Sequence, residues 1–140
     1  MQYFLDHRGI VLKTVDPNGH TRTQIYDEVQ GRQSSAGDAL GRAYSYEYDD
    51  LGRRTSDTDP LGVTKKYTFT DAPARLESLT DATGSVTDYV YDDNVILLST
   101  LYADGMVERY TYDALGNPLT WTNRRGETVE YTYDAAGRLT

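Results

Sequence analysis

The chain contains no cysteine, which excludes a disulfide framework, a thiol nucleophile and a thiolate metal site. Nor does it have an excess of positive charge: 14 Lys and Arg stand against 22 Asp and Glu, a formal net charge of -8. A chain of that sign has no basic face with which to neutralise phosphates, so no nucleic acid and no anionic membrane surface is expected as a partner. No apolar run approaches the ~18 residues of a membrane-spanning helix, and no membrane insertion is expected. The opening Met1-Gln2-Tyr3-Phe4-Leu5-Asp6 lacks the basic and apolar regions of a signal peptide, so none is expected in this chain. The usual core-forming residues are scarce as well: Leu, Ile, Val and Phe make up 27 of 140 residues. With the acidic balance, that proportion borders on the composition of disordered chains. What the chain has instead is tyrosine. It has 13 of them, each able to bury roughly 150–250 Å², and their regular placement points to a folded chain.

That regularity is a repeat. Gly19, Gly41, Gly62, Gly84, Gly105 and Gly126 follow one another at intervals of 22, 21, 22, 21 and 21 residues. Five positions beyond each stand Gln24, Tyr46, Tyr67, Tyr89, Tyr110 and Tyr131; seven beyond stand Tyr26, Tyr48, Phe69, Tyr91, Tyr112 and Tyr133. Tyr3, Leu5, Asp6 and Gly9 extend the register backwards. The reading is one repeat array over residues 1–140, of about six full copies and a partial N-terminal one.

Each copy carries two turns. After the second aromatic column comes Asp-x-x-Gly, as in Asp49 to Gly52, Asp113 to Gly116 and Asp134 to Gly137, with Asp92 opening the same turn in its copy. Asp hydrogen-bonds the backbone that follows it, and Gly accepts the positive φ that a tight reversal needs. The second turn, Asp16-Pro17-Asn18-Gly19 or Asp59-Pro60-Leu61-Gly62, has the residue preferences of a type I turn. Both 22-residue intervals trace to one extra residue in the first turn, before Arg32 and before Arg75, where a longer loop or a bulge absorbs it. Pro73 and Val95 stand where Gly is expected. Those turns should therefore differ, with Asn94 as the left-handed residue. Gln33 to Gly37 is the least patterned stretch and reads as a loose loop.

Between turns the pattern alternates as in strands. Met106, Glu108, Tyr110 and Tyr112 share one face; so do Glu127, Val129, Tyr131 and Tyr133. Helical spacing is nowhere sustained. The fold class expected is all-β, a succession of antiparallel hairpins of 21–22 residues. The tyrosine columns act as rungs, since cross-strand aromatic pairs contribute roughly 0.2–1 kcal/mol each.

Little points to catalysis. His7 and His20 fall in turns and share no metal-ligand spacing. No nucleophile elbow and no phosphate loop occurs. Asp49-Asp50 and Asp92-Asp93 lack the spacing of calcium loops, and the two Asp-Pro pairs occupy one turn column rather than a cleavage site. Aromatic cages for quaternary ammonium or sugar favour Trp, and only Trp121 is present. No enzyme activity, catalytic residue, metal or cofactor is expected. The residues that matter are structural: Tyr46, Tyr48, Asp49, Gly52, Tyr67, Phe69, Tyr89, Tyr91, Asp92, Tyr110, Tyr112, Asp113, Gly116, Tyr131, Tyr133, Asp134 and Gly137, with the turn glycines Gly19, Gly41, Gly62, Gly84, Gly105 and Gly126.

Tyr131-Thr132-Tyr133-Asp134-Ala135-Ala136-Gly137-Arg138-Leu139-Thr140, with Tyr110 to Leu119 and Tyr46 to Arg53 in register, resembles the YD repeats of the Rhs proteins, shared with the B and C components of bacterial Tc toxins and with teneurins. The resemblance covers the whole chain. It implies a curved sheet of hairpins spiralling into a hollow shell, which in bacterial members encloses a C-terminal toxin domain. The family's self-cleavage motif does not follow Asp59-Pro60-Leu61-Gly62-Val63, and neither a toxin nor a delivery domain is recognisable, so the chain reads as a piece of shell wall. The partners implied are the remainder of a larger shell and its enclosed toxin, in a bacterial protein exported or displayed at the cell surface. Unpaired sheet edges imply self-association of the isolated chain. The competing reading is an extracellular glycan- or protein-binding repeat module.

Overall fold

The computed structural model describes residues 1–140, all in strands, turns and connecting residues, with no helix. The chain divides into two compact units, Met1–Lys66 and Tyr67–Thr140. The first contains β1 (Gln2–Leu5), β2 (Val11–Val15), β3 (Thr21–Tyr26), β4 (Gln33–Gly37), β5 (Ala43–Tyr48) and β6 (Arg54–Thr58). β7 (Thr64–Phe69) runs across the division. The second contains β8 (Leu76–Thr80), β9 (Val86–Tyr91), β10 (Leu97–Leu101), β11 (Val107–Tyr112), β12 (Pro118–Thr122) and β13 (Thr128–Glu130). Each strand hydrogen-bonds to the strands before and after it, so the order in the sheet is the order in the chain. The fold is all-β and built of successive antiparallel hairpins.

The reversals, those from Asp27 and Thr70 apart, share one geometry. In the turn from Asp134, the Gly137 N–H donates to the Asp134 carbonyl at 2.9 Å, and the Asp134 N–H donates to the Arg138 carbonyl at 2.9 Å. That is a type I turn closed by a left-handed residue, the usual three-residue hairpin loop. Glycine fills the left-handed position at φ between 69° and 87° in eleven turns. In the turn from Asp92 that position falls to Val95, at φ 75°, and not to Asn94 as the sequence reading expected. The turn itself is unaltered: Val95 N–H reaches the Asp92 carbonyl at 3.2 Å and Asp92 N–H the Ile96 carbonyl at 2.9 Å. Pairing of β9 with β10 on either side of the turn, and the Asp92 carboxylate accepting from the Asn94 and Ile96 N–H at 2.9 and 2.8 Å, hold the backbone in that form. The Pro73 turn does differ: it is longer, closed by Thr70 N–H to the Arg75 carbonyl at 3.0 Å, with a cis Ala72–Pro73 peptide.

Two further features departed from the alternation visible in sequence. Gln33–Gly37 is strand β4, paired with β3 and β5. Its Ser, Ala and Gly side chains carry no strand signal because neighbouring strands impose the conformation, and Gly37 leaves room for Thr23: a Cβ there would run into the Thr23 hydroxyl. The second feature is a bulge beside five of the first turns. Tyr48 pairs with Arg54 but Glu47 pairs with Ser56, leaving Thr55 over. The same register shift leaves over Leu12, Ser34, Leu98 and Leu119. An extra residue on one strand raises the local twist. It also explains why Ile96-Leu97-Leu98 does not alternate.

No hydrophobic side chain is buried. The two least exposed residues are Ser56 and Thr100, both at 4%. The aromatic columns are half-buried, whereas Ile25, Glu47, Thr68, Val90 and Thr111, pointing to the other side, are exposed. Each unit is therefore a sheet with a partly covered aromatic face, and no second layer lies over it.

Candidate functional site

The Asp-x-x-Gly turns are held by their first side chain. Asp49 Oδ1 accepts from the backbone N–H of Leu51 at 3.0 Å and of Arg53 at 2.9 Å, while Oδ2 accepts from Arg53 Nε at 2.6 Å. Asp134 does the same with Ala136, Arg138 and the Arg138 Nε, at 2.9, 2.9 and 2.7 Å. In the Asp113 turn the closing partner is Asn117 Nδ2 at 2.8 Å. In the second set of turns it is Arg42 Nε on Asp38 at 2.7 Å or His20 Nδ1 on Asp16 at 2.9 Å. Asn123 replaces Asp in one copy, its Oδ1 accepting from Arg125 and Glu127 N–H at 2.9 and 3.0 Å. An acceptor at this position satisfies two backbone donors that strand pairing does not reach.

These bonds stabilise the ionised carboxylates. Asp38 is held below the usual carboxylate range, foremost by the Arg42 guanidinium. Asp16 is lowered foremost by the His20 ring, Asp113 by the Asn117 carboxamide and Asp134 by the Arg138 backbone N–H. At Asp49 desolvation pushes upward, and the Arg53 N–H and guanidinium outweigh it.

Where the turn is one residue longer, the arginine acts differently. Asp27 N–H closes on the Arg32 carbonyl at 2.8 Å, and the Arg32 Nε stands 3.8 Å from Asp27, beyond hydrogen-bond reach. The guanidinium instead crosses to the next hairpin. Arg32 Nη1 donates to the Asp49 carbonyl at 2.9 Å, and the guanidinium carbon lies 5.1 Å from the centre of the Tyr48 ring. Arg75 repeats the arrangement: Nη1 to the Asp92 carbonyl at 2.9 Å, guanidinium 5.2 Å from the Tyr91 ring. The Nε atoms of Arg32 and Arg75 are buried without a hydrogen-bond partner, consistent with each arginine aligning on the neighbouring copy. The inserted residue thus turns a clamp inside one copy into a staple between two.

The tyrosine columns complete these cross-links. Tyr48 OH donates to the Gln33 carbonyl at 2.9 Å, and Tyr26 OH to Gln24 Oε1 at 2.6 Å. Arg54 lies 4.0 Å over the Tyr46 ring. In the second unit, Tyr102 and Tyr110 both donate to Glu108 Oε2 at 3.1 Å. Arg124 covers the Tyr102 ring at 4.2 Å and pairs with Asp104. Desolvation, then the Glu108 carboxylate, pushes the phenol pKa values of Tyr102 and Tyr110 up. Tyr110 faces Trp121 across the strands.

Of the residues singled out from sequence, Tyr46, Tyr48, Tyr67, Phe69, Tyr89, Tyr91, Tyr110 and Tyr112 lie in strands, half-buried. Tyr131 and Tyr133 lie beyond β13, joined by the Tyr131 N–H to the Leu119 carbonyl at 2.9 Å and by a bridge of Tyr133 with Leu139. Asp49, Asp92, Asp113 and Asp134 open turns, and Gly52, Gly116 and Gly137 with the six glycines of the second turn set are left-handed. Arg32, Arg54, Arg75, Arg124 and Glu108 were not singled out. The signal for Arg32 and Arg75 was available, because they alone follow the lengthened turns. No three His, Asp or Glu side chains converge as a metal site would require.

Hairpins joined in chain order, with polar clamps in the turns and aromatic rungs between them, define an all-β repeat scaffold, a structural architecture. The RHS Repeat family model matches residues 29–64 and 112–140. Those two stretches match Rhs, or YD, repeats, and the same hairpin unit recurs through the rest of the chain. No curated protein sequence matches it. Among solved structures, it is similar to the TcdB2-TccC3-Cdc42 crystal structure at 18% identity and TM-score 0.77, covering 99% of this chain and 9% of that one. The Photorhabdus luminescens Tc holotoxin pore gives 18% identity and TM-score 0.76 over 99% of this chain and 8% of that one. TcdB2-TccC3 gives 16% identity and TM-score 0.71 over 98% and 9%. The likeness is one of fold, and the chain spans under a tenth of the length of those structures.

Proposed function

We propose that this chain is a non-catalytic segment of the wall of an Rhs-type shell, that the remainder of the shell continues its sheet, and that the shell encloses an effector domain in an exported bacterial protein. The observation that carries this reading is the absence of any buried hydrophobic side chain in a chain whose strands nonetheless pair each with its neighbours in sequence. Such a sheet makes a surface rather than an interior. The fold likeness to TcdB2-TccC3 supports the same role. A glycan-binding platform is the weaker reading, because the ring faces of Tyr46, Tyr48, Tyr91 and Tyr102 already carry arginines. The test is limited proteolysis of the full reading frame that carries these repeats. An enclosed effector is expected to resist protease until the repeats themselves are cut. An effector cleaved as fast in the intact protein as when expressed alone, or the lack of any such domain, overturns the proposal.

A further inference from the structure

We propose that the Asn18-Gly19 peptide is a site of spontaneous deamidation, gated by the Asp16–His20 clamp. Asn18 and Gly19 sit at an exposed turn tip. The Asn18 backbone N–H donates to Asp16 Oδ1 at 2.8 Å, but its carboxamide makes no hydrogen bond in the chain. Gly19 is left-handed at φ +86°, with nothing within 4 Å of where a Cβ would stand. The electrophilic carboxamide carbon is therefore uncovered, and the following amide nitrogen is unshielded by a side chain.

The chemistry needs only water. The deprotonated Gly19 nitrogen attacks Asn18 Cγ; a C–N bond forms, the bond to the carboxamide nitrogen breaks, and ammonia leaves with the proton. Water then opens the resulting succinimide at either carbonyl, giving aspartate or isoaspartate. One water enters and one ammonia departs.

The other asparagines are disfavoured, each for its own reason. Asn117 precedes Pro118, which has no N–H to lose. Asn94 precedes the β-branched Val95, and the Asn123 carboxamide is engaged at both ends, with Oδ1 bound to the Arg125 and Glu127 amides and Nδ2 on Glu127 at 2.7 Å. Asp104-Gly105 is the aspartyl counterpart, but Asp104 pairs with Arg124 and is held ionised, foremost by the Met106 N–H. An ionised carboxylate is a poor electrophile.

One contact opposes the reaction. The Gly19 N–H donates to the Asp16 carbonyl at 3.0 Å, and the His20 ring bonded to Asp16 Oδ2 at 2.9 Å closes the turn around it. The nitrogen becomes nucleophilic only when this turn opens. Isoaspartate would lengthen the backbone by a methylene, break that hydrogen bond and set a new carboxylate beside Asp16.

The experiment is incubation of the folded full chain at mildly alkaline pH, followed by peptide mapping with a fragmentation method that distinguishes isoaspartate. The expected result is a mass gain from exchange of NH2 for OH confined to the peptide containing Asn18. His20→Ala should accelerate it several-fold, Gly19→Ala should slow it several-fold, and Asn18→Gln should abolish it with an unchanged melting curve. Conversion appearing first at Asn94 or Asn123, no conversion at Asn18, or a rate indifferent to His20→Ala overturns the proposal.

Discussion

The turns Asp27–Arg32 and Asp134–Arg138 occupy the same column of the repeat and begin and end with the same residues, yet one has an extra residue between them. In the shorter turn the Arg138 Nε sits 2.7 Å from its own Asp134. In the longer one the Arg32 Nε stands 3.8 Å from Asp27, and Nη1 bonds the Asp49 carbonyl of the following copy at 2.9 Å. Loop length, rather than residue identity, decides whether the arginine closes its own hairpin or joins two. Arg75, behind the only other lengthened turn, behaves as Arg32 does, so the rule holds in both units. The comparison also ranks the two uses. Arg138 keeps 80% of its side chain exposed and Arg32 only 21%, and exposed ion pairs contribute little.

The largest effect expected is at the staples. Arg32→Ala or Arg75→Ala should cost about 2–3 kcal/mol in urea unfolding, from a charged hydrogen bond and a covered ring face, while Arg138→Ala stays within the scatter of the measurement. Equal costs would break the distinction. Deleting Gln30 should convert the long turn to the short form. It should cost about as much as Arg32→Ala, and the two changes together should cost no more than either alone. Additive losses would show that the inserted residue does not control the arginine.

Next comes the left-handed position. Val95→Gly should stabilise the chain by about 1–2 kcal/mol, and Gly62→Val, in a turn with open space around it, should destabilise by a similar amount. A thermal melt of each decides. No gain from Val95→Gly would mean the valine is compensated locally.

The smallest effect is pH dependence. The turn carboxylates Asp16, Asp38, Asp49, Asp113 and Asp134 are lowered in the folded chain. Their contribution is therefore complete above the unfolded value of about 3.9 and is lost as pH falls through the lower folded values. Hydrogen exchange at acid pH should open the aspartate turns while the Thr70 turn, closed by the Thr70 hydroxyl on Arg75 N–H at 3.1 Å, keeps its protection. Simultaneous opening of both kinds would remove the carboxylates as the cause.

The glycine ladder and the paired aromatic columns made the hairpins legible in the sequence, because turn chemistry and strand alternation are both local. What was hidden depends on neighbours. Ser34, Ser35 and Ala36 form a strand because β3 and β5 flank them. Val95 is forced left-handed by a turn whose other contacts are all in place. Thr55 and Leu98 are surplus residues that only the pairing register reveals. Arg32 and Arg75 were conspicuous by position, but their reach to Asp49 and Asp92 emerged only with the distances.

Strand pairing here never skips a neighbour: β1 to β2, β2 to β3 and onward to β13. Each strand's partners therefore leave the ribosome just before and just after it. The chain can acquire structure in the direction of its synthesis, hairpin by hairpin, without waiting for a distant segment to close a core, and pairings of such low sequence separation form quickly. A protein assembled this way gains length at no cost in folding complexity.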